Sequence, residues 1–183
     1  MARAFLDDPF FTFTIPDDTR RRRILPWIFG KTITYGRRYG RVYTNRDLEG
    51  VALWLGPQNP NLAWRGALQT GLFLLPLKLS WLELRRNLRL AKSSGRLHAE
   101  SISGRHWYLV GLGVEPACQN RGVGGALLQP ILQQADRQAV ACYLDTNNEQ
   151  NIQYYERLGF KLAGRLQASP DDPPTWGMLR KAG

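Results

Sequence analysis

Between Leu112 and Leu128 the chain reads Leu112-Gly113-Val114-Glu115-Pro116-Ala117-Cys118-Gln119-Asn120-Arg121-Gly122-Val123-Gly124-Gly125-Ala126-Leu127-Leu128. The pattern predicts a strand, a short turn at Pro116 and a glycine-rich helix start. The first N–H groups of a helix have no partner within it, and the aligned peptide dipoles add partial positive charge, so such a start can surround an anion. Glycine at 122 and 124 leaves room for a pyrophosphate to approach that backbone. Two other phosphate motifs do not fit. A dinucleotide G-x-G-x-x-G counted from Gly122 needs glycine at 127 and meets Leu127, and the Gly-Lys-Ser/Thr of a P-loop is absent.

Gln119-Asn120-Arg121-Gly122-Val123-Gly124 matches Gln/Arg-x-x-Gly-x-Gly/Ala, and downstream Asn148 is followed seven residues later by Tyr155 and then by Gly159-Phe160. In this order and separation the two elements resemble the GNAT superfamily of acetyl-CoA-dependent N-acetyltransferases. Asp8-Pro9-Phe10, His106-Trp107-Tyr108-Leu109 and Trp176-x-Met178-Leu179 are similar to a subgroup that includes puromycin N-acetyltransferase. The resemblance implies that Leu112, Gly113 and Val114 pair through their backbone with the pantetheine arm of acetyl-CoA. It implies that Gln119, Asn120, Arg121, Gly122, Val123, Gly124 and Gly125 hold the pyrophosphate, and that Asn148 and Asn151 contact the cofactor arm. Asn147 or Asn148 also reads as an ordinary helix cap. No metal is implied.

Tyr155 resembles the family's general acid, which protonates the departing thiolate. A phenol with an ordinary pKa near 10 can do so only as charge develops on a sulfur whose own pKa is near 8.5. The attacking amine must lose a proton, and Asp145, at the end of the strand Cys142-Tyr143-Leu144, is the first choice as base. His106 is the second, read otherwise as a surface imidazole before an apolar strand, and His98 is a third. Cys118 could take an acetyl group, but reads more simply as a small filler. Backbone N–H groups near Val114 are expected to polarise the thioester carbonyl.

These residues need an α/β frame. Expected are a helix over Thr19 to Thr34, strands over Arg38 to Asn45 and Gly50 to Leu55 joined by a hairpin, and a helical insert around 62–101 broken at Pro76. After these come a strand over Trp107 to Val114, a helix over Gln119 to Gln138 and a strand over Ala141 to Asp145. A helix over Asn147 to Leu158 precedes two closing strands, Phe160 to Leu166 and Thr175 to Leu179. The resemblance makes this a single domain, 1–183, with a splayed, mixed and mostly antiparallel sheet flanked by helices. Residues 1–107 form its substrate side and 108–183 its acetyl-CoA-binding core. Family members usually begin with a strand, but Met1 to Phe5 reads as the end of the first helix. The first strand is expected to be missing, or to lie upstream of Met1.

The chain has 183 residues, 43% hydrophobic and 22% charged, enough for one buried core, and its formal net charge is +10. Residues 1–107 hold 18 Lys and Arg against 8 Asp and Glu, whereas 108–183 hold 7 of each, so the surplus lies on the substrate side. That distribution predicts a basic wall suited to a neutral or acidic amine and hostile to polycations. Arg20 to Arg23 are spread around most of a helix, which disfavours a nucleic-acid stripe. Two cysteines, no apolar stretch at Met1 to Pro9 and an uncharged run of only twelve residues from Gly66 to Leu77 predict a soluble cytoplasmic protein without a membrane span. The expected acceptor is a small-molecule amine. The sequence leaves the oligomeric state open, a homodimer included, and two other readings: a catalytically silent acyl-CoA sensor, and a basic protein that binds nucleic acid or an anionic surface.

Overall fold

The computed structural model describes residues 1–61 and 64–182. Leu62, where the helical insert is expected to start, lies outside the described residues. After a one-turn 3-10 helix at Ala2–Phe5 come α1 (Pro9–Thr14), α2 (Asp18–Tyr39), β1 (Gly40–Thr44), β2 (Gly50–Leu55), α3 (Trp64–Thr70) and α4 (Trp81–Ser101). The second half alternates β3 (His106–Val114), α5 (Val123–Arg137), β4 (Ala141–Thr146), α6 (Gln150–Glu156), β5 (Lys161–Leu166) and β6 (Thr175–Arg180). The 2–5 turn is separate from α1, not the end of a helix, and no strand precedes β1 among the described residues.

The strands form one sheet in the order β1-β2-β3-β4-β6-β5. All pairs are antiparallel except β3 with β4, which gives the expected mixed, mostly antiparallel sheet of an α/β fold. The parallel pair is short: it runs from His106↔Ala141 to Leu109↔Leu144 and stops. Beyond it, β3 stays with β2 as far as Val114, while β4 stays with β6 as far as Thr146. A bulge assists the separation, for Trp54 faces Leu109 but Leu53 faces Gly111, leaving Val110 as an extra residue. The sheet therefore opens into a wedge after Leu109 and Leu144.

Helix α2 runs five residues further than its periodicity predicts. Gly36 does not break it: a Cβ there would lie 2.7 Å from Leu53, so the glycine lets the helix end lie close on β2. Asp17 caps the other end by accepting from the Arg20 N–H at 2.7 Å. The arginine cluster that follows is divided among separate structural tasks. Arg20 pairs with Glu83 at 2.8 Å, and Arg22 with Asp18 at 2.7 Å. Arg21 is buried and donates to the carbonyls of Leu6, Ile15 and Pro16. Glu83 also closes a capping box with Ser80, which fixes the start of α4. Helix α4 packs on β5 and β6 and lays its Ser93, Ser94, Leu97 and His98 side toward the sheet.

One apolar core joins the buried faces of β2, β3, β4 and β6 to α5 and α6 through residues such as Trp54, Leu109, Leu128, Ile131, Leu144 and Phe160. A second joins Ile15, Ile24, Leu25, Ile28 and Phe29, with Phe5 and Phe11 packed against them, on the other side of the wedge. Helix α5 starts at Val123 rather than Gln119. Asn120 (φ 59°) and Gly122 (φ 80°) are both left-handed, so the chain turns twice before the helix begins.

Candidate active site

Two adjoining cavities fill the wedge. One, of about 820 Å³, runs along the start of α5; the other, of about 500 Å³, lies between β3, β4, α1 and α4. They share Phe5, Asp8, Leu112, Asn151 and Tyr155, so the two spaces meet at those side chains.

The larger cavity is lined by Leu112, Val114, Gln119, Asn120, Gly122, Val123, Gly124, Gly125, Asn148 and Asn151. Of the residues predicted to contact a cofactor, Gly113 and Arg121 do not line it. The side-chain position of Gly113 is taken by Phe5 and Met1, and Arg121 points to solvent. The N-cap, Gly122, makes no side-chain cap and the first turn has no acidic residue, so the leading N–H groups of α5 face the cleft without an internal partner. A Cβ at Gly122 or Gly125 would meet no atom within 4 Å and would project into that space. A cradle of this kind fits a pyrophosphate, because bare N–H groups need an acceptor and only glycine keeps the approach open. Asn148 doubles as a local cap, its side chain accepting from the Gln150 N–H at 3.1 Å, while Asn151 donates to Thr146 Oγ1 at 3.1 Å.

In the smaller cavity, Asp145 stands where β4 leaves β3. Its Oδ2 accepts from Ser94 at 2.6 Å and its Oδ1 from Tyr108 at 2.8 Å. Burial raises its pKa above the ordinary aspartate value, while the two hydrogen bonds act in the opposite sense. Tyr155 is 7% exposed and rests edge-on against Phe160. Burial pushes its phenol well above 10, and the nearby charges of Asp8 and Asp145 push in the same direction, so it is protonated at neutral pH.

Three neighbours of the site are not apparent from sequence. Ser94 and Tyr108 come from α4 and β3, 51 and 37 residues from Asp145. Asp8, which caps α1 by accepting from the Phe10 N–H at 2.9 Å, has a pKa raised to about 6 by burial. A polar residue on the sheet-facing side of a helix, as Ser94 is, was the available signal. Tyr154 is a fourth: its hydroxyl is buried beside the larger cavity without a hydrogen-bond partner among the described residues and would lie 2.7 Å from a Cβ at Gly124.

The histidines differ from their sequence reading. His106 is not a surface imidazole: it is 4% exposed, its Nδ1 bonds the Gly104 carbonyl at 2.9 Å, and its Nε2 meets His98 Nε2 at 2.7 Å. It lines neither cavity, whereas His98 reaches the smaller one and stacks on Tyr143 at 4.3 Å. Burial lowers the pKa of both, that of His98 to about 4, so neither is a strong base. The Cys118 thiol donates to Glu49 at 3.3 Å, and this bond raises its pKa away from thiolate chemistry.

The expected basic wall is also absent. No lysine or arginine lines the smaller cavity among the described residues. The arginines of the first half turn outward or are paired, as Arg20 is with Glu83 and Arg89 with Asp172.

Residues 85–160 match the family model of the acetyltransferase (GNAT) family. An uncharacterized N-acetyltransferase of Schizosaccharomyces pombe (strain 972) is 26% identical over 163 residues, which is 86% of this chain; the chain spans 66% of that relative's length. Among solved structures, a histone acetyltransferase HPA2 and related acetyltransferase from Corynebacterium glutamicum is 24% identical with a TM-score of 0.64, over 100% of this chain and 87% of that one. A further acetyltransferase structure is 16% identical with a TM-score of 0.50, over 100% and 93% of the two chains. The fold is thus GNAT-like. Among the described residues no helix is long and apolar enough to cross a membrane, and no group of three or more His, Cys, Asp or Glu is placed to hold a metal ion.

Proposed function

We propose that the chain is an N-acetyltransferase that moves the acetyl group of acetyl-CoA directly to a primary amine in a ternary complex. A single domain does this, with 1–107 on the acceptor side and 108–183 on the cofactor side. The observation that carries the reading is the position of Tyr155 at the junction of the two cavities, with the bare helix start of α5 on one side and Asp145 on the other. The Asp8-Pro9-Phe10, His106-Trp107-Tyr108-Leu109 and Trp176-x-Met178-Leu179 segments support placement in the subgroup similar to puromycin N-acetyltransferase. Two free cysteines suit a reducing cytoplasm.

Acetyl-CoA, when bound, supplies the activated acyl group. The N–H groups at the start of α5, with Gln119 and Asn120, hold its pyrophosphate, and Asn148 and Asn151 border its arm. Val114 borders only the larger cavity, whereas Leu109 to Leu112 border the one that contains Asp145. The carbonyl-polarising N–H groups are therefore assigned to the bulged stretch from Leu109 to Leu112 rather than to Val114. Asp145 takes the proton that the incoming ammonium must lose, and burial makes it a better acceptor than an ordinary aspartate. Tyr155 gives its proton to the sulfur as the C–S bond breaks and the C–N bond forms; the second proton on nitrogen leaves to solvent, Asp145 releases the first, and one proton from solvent restores Tyr155. The net products are the amide, the free thiol and one proton.

Calorimetry with acetyl-CoA and thiol release with a panel of primary amines test this. Wild type is expected to bind and turn over; Tyr155→Phe is expected to bind with nearly unchanged affinity while kcat falls roughly 100-fold. Binding without turnover on any amine would leave a silent acyl-CoA sensor instead.

A further inference from the structure

We propose that the acceptor is a small monoamine, bound as a cation and carried on an aromatic or other apolar body, with Asp8 as a specificity-determining residue. This rests on the acetyl-transfer reading of the same site and names the substrate class within it.

The smaller cavity divides chemically into two parts. At the wedge stand Asp145 and, across from it at the start of α1, Asp8. They are the only carboxylates lining the cavity among the described residues, and no lysine or arginine accompanies them although the chain carries 25. Both line the same cavity as Tyr155. The other part is a wall of four phenylalanines. Phe5 and Phe29 lie with ring centroids 4.8 Å apart, Phe11 and Phe29 5.5 Å, and Phe10 and Phe11 5.0 Å.

Two half-buried carboxylates with no lysine or arginine lining the same cavity favour an incoming cation and disfavour an anion, because the apolar walls screen either interaction less than water does. The ring faces attract a second ammonium only weakly, by less than it costs to strip that ammonium of water, so a polyamine gains little there. An amino acid would bring its own carboxylate against Asp8 with no arginine to receive it. A ring or short alkyl body, in contrast, gains by covering Phe5, Phe10, Phe11 and Phe29. The volume of about 500 Å³ also holds the acetyl end of the donor, which limits the acceptor to roughly one ring and a short tether. The +10 charge of the chain thus does not extend to the lining of the smaller cavity, where Asp8 and Asp145 are the charged side chains among the described residues.

The test measures binding to the intact chain by calorimetry, without acetyl donor, for three ligands of one shape: phenethylamine, 2-phenylethanol and 3-phenylpropionate. The amine is expected to bind at least 10-fold more tightly than the alcohol, and the acid not to bind. Asp8→Asn retains the helix cap, since asparagine caps as well as aspartate. It is expected to weaken the amine about 10-fold and leave the alcohol unchanged. Equal or tighter binding of the alcohol or acid, or an equal loss of amine and alcohol in Asp8→Asn, would overturn the assignment. Thiol release with acetyl-CoA present then compares phenethylamine with spermidine and glutamate. At least a 100-fold advantage in kcat/KM for phenethylamine is expected, and a preference for spermidine or glutamate refutes the proposal. If phenethylamine binds as expected but no amine is acetylated, the transferase reading fails while the cation-selective cavity stands.

Discussion

The hydroxyl of Tyr108 donates to Oδ1 of Asp145 at 2.8 Å, across the point where β3 and β4 part. The two residues belong to neighbouring parallel strands, yet they are two register steps out of line: Tyr108 pairs with Tyr143 and Leu109 with Leu144, the last pair before the wedge. The bond therefore ties the proposed base to the last paired turn of the sheet, and Ser94 ties its other oxygen to α4.

Because the Tyr108 bond lowers the Asp145 pKa, its removal must raise it. The base acts ionised, so the acidic limb of kcat/KM against pH is expected to move to higher pH in Tyr108→Phe. The size should be roughly 0.5–1 unit, the equivalent of one hydrogen bond. An unmoved limb would show that Asp145 is not the group titrating in the profile.

Gly125 lies in the first turn of α5 with open space at its side-chain position. Alanine there is expected to stabilise the helix by up to about 1 kcal/mol, as glycine is the poorer helix former. The same methyl would occupy the anion cradle and weaken acetyl-CoA binding roughly 10-fold. Thermal melting and calorimetry should therefore move in opposite directions, a result that damage to the fold cannot produce.

The pair His98 and His106 is buried in its neutral form, with the His98 pKa depressed from 6.5 to about 4. A depressed pKa contributes stability that is present above the unfolded value and lost as pH falls through the folded one, here from 6.5 to about 4. Denaturant unfolding at pH 4 and pH 7 is expected to show this loss. In His98→Phe, which keeps a ring against Tyr143, the difference between the two pH values should shrink by about 3 kcal/mol. An undiminished difference would mean that the pair does not titrate on unfolding.

Asp8 acts in the opposite direction. Its folded pKa is raised from 3.8 to about 6, so the stability linked to its protonated form is present below pH 3.8 and lost as pH rises through about 6. Asp8→Asn is accordingly expected to gain about 1–3 kcal/mol over wild type at pH 8 and little at pH 4. Such a gain from removing a charge would mark Asp8 as a group held in place at a cost to stability, as ligand-binding residues often are. Equal stability at both pH values would contradict its burial.

Much of the proposed cofactor side could be read from the chain itself because its determinants are local. The Gln119 to Gly125 turn, the start of α5 and the Asn148 to Tyr155 spacing each lie within a few residues of one another, and a helix start needs only its own glycines and unpaired N–H groups. Boundaries failed where a neighbour intervened. Gly36 looks like a stop until Leu53 lies against it, and Gln119 looks helical until the left-handed residues at 120 and 122 delay the helix.

By itself the sequence determined the α/β alternation and the glycine-rich start of α5, and it singled out Tyr155 and Asp145 as candidates, all properties of short segments. Only the tertiary structure decided what surrounds them: Ser94 and Tyr108 on Asp145, the burial of His106 on His98, and the joining of Asp8 and four phenylalanines around one cavity. It also reversed the meaning of the charge. Net charge is a sum over residues, but the field in a cavity depends on which of them face inward, and here the carboxylates face inward while arginines pair elsewhere or meet solvent.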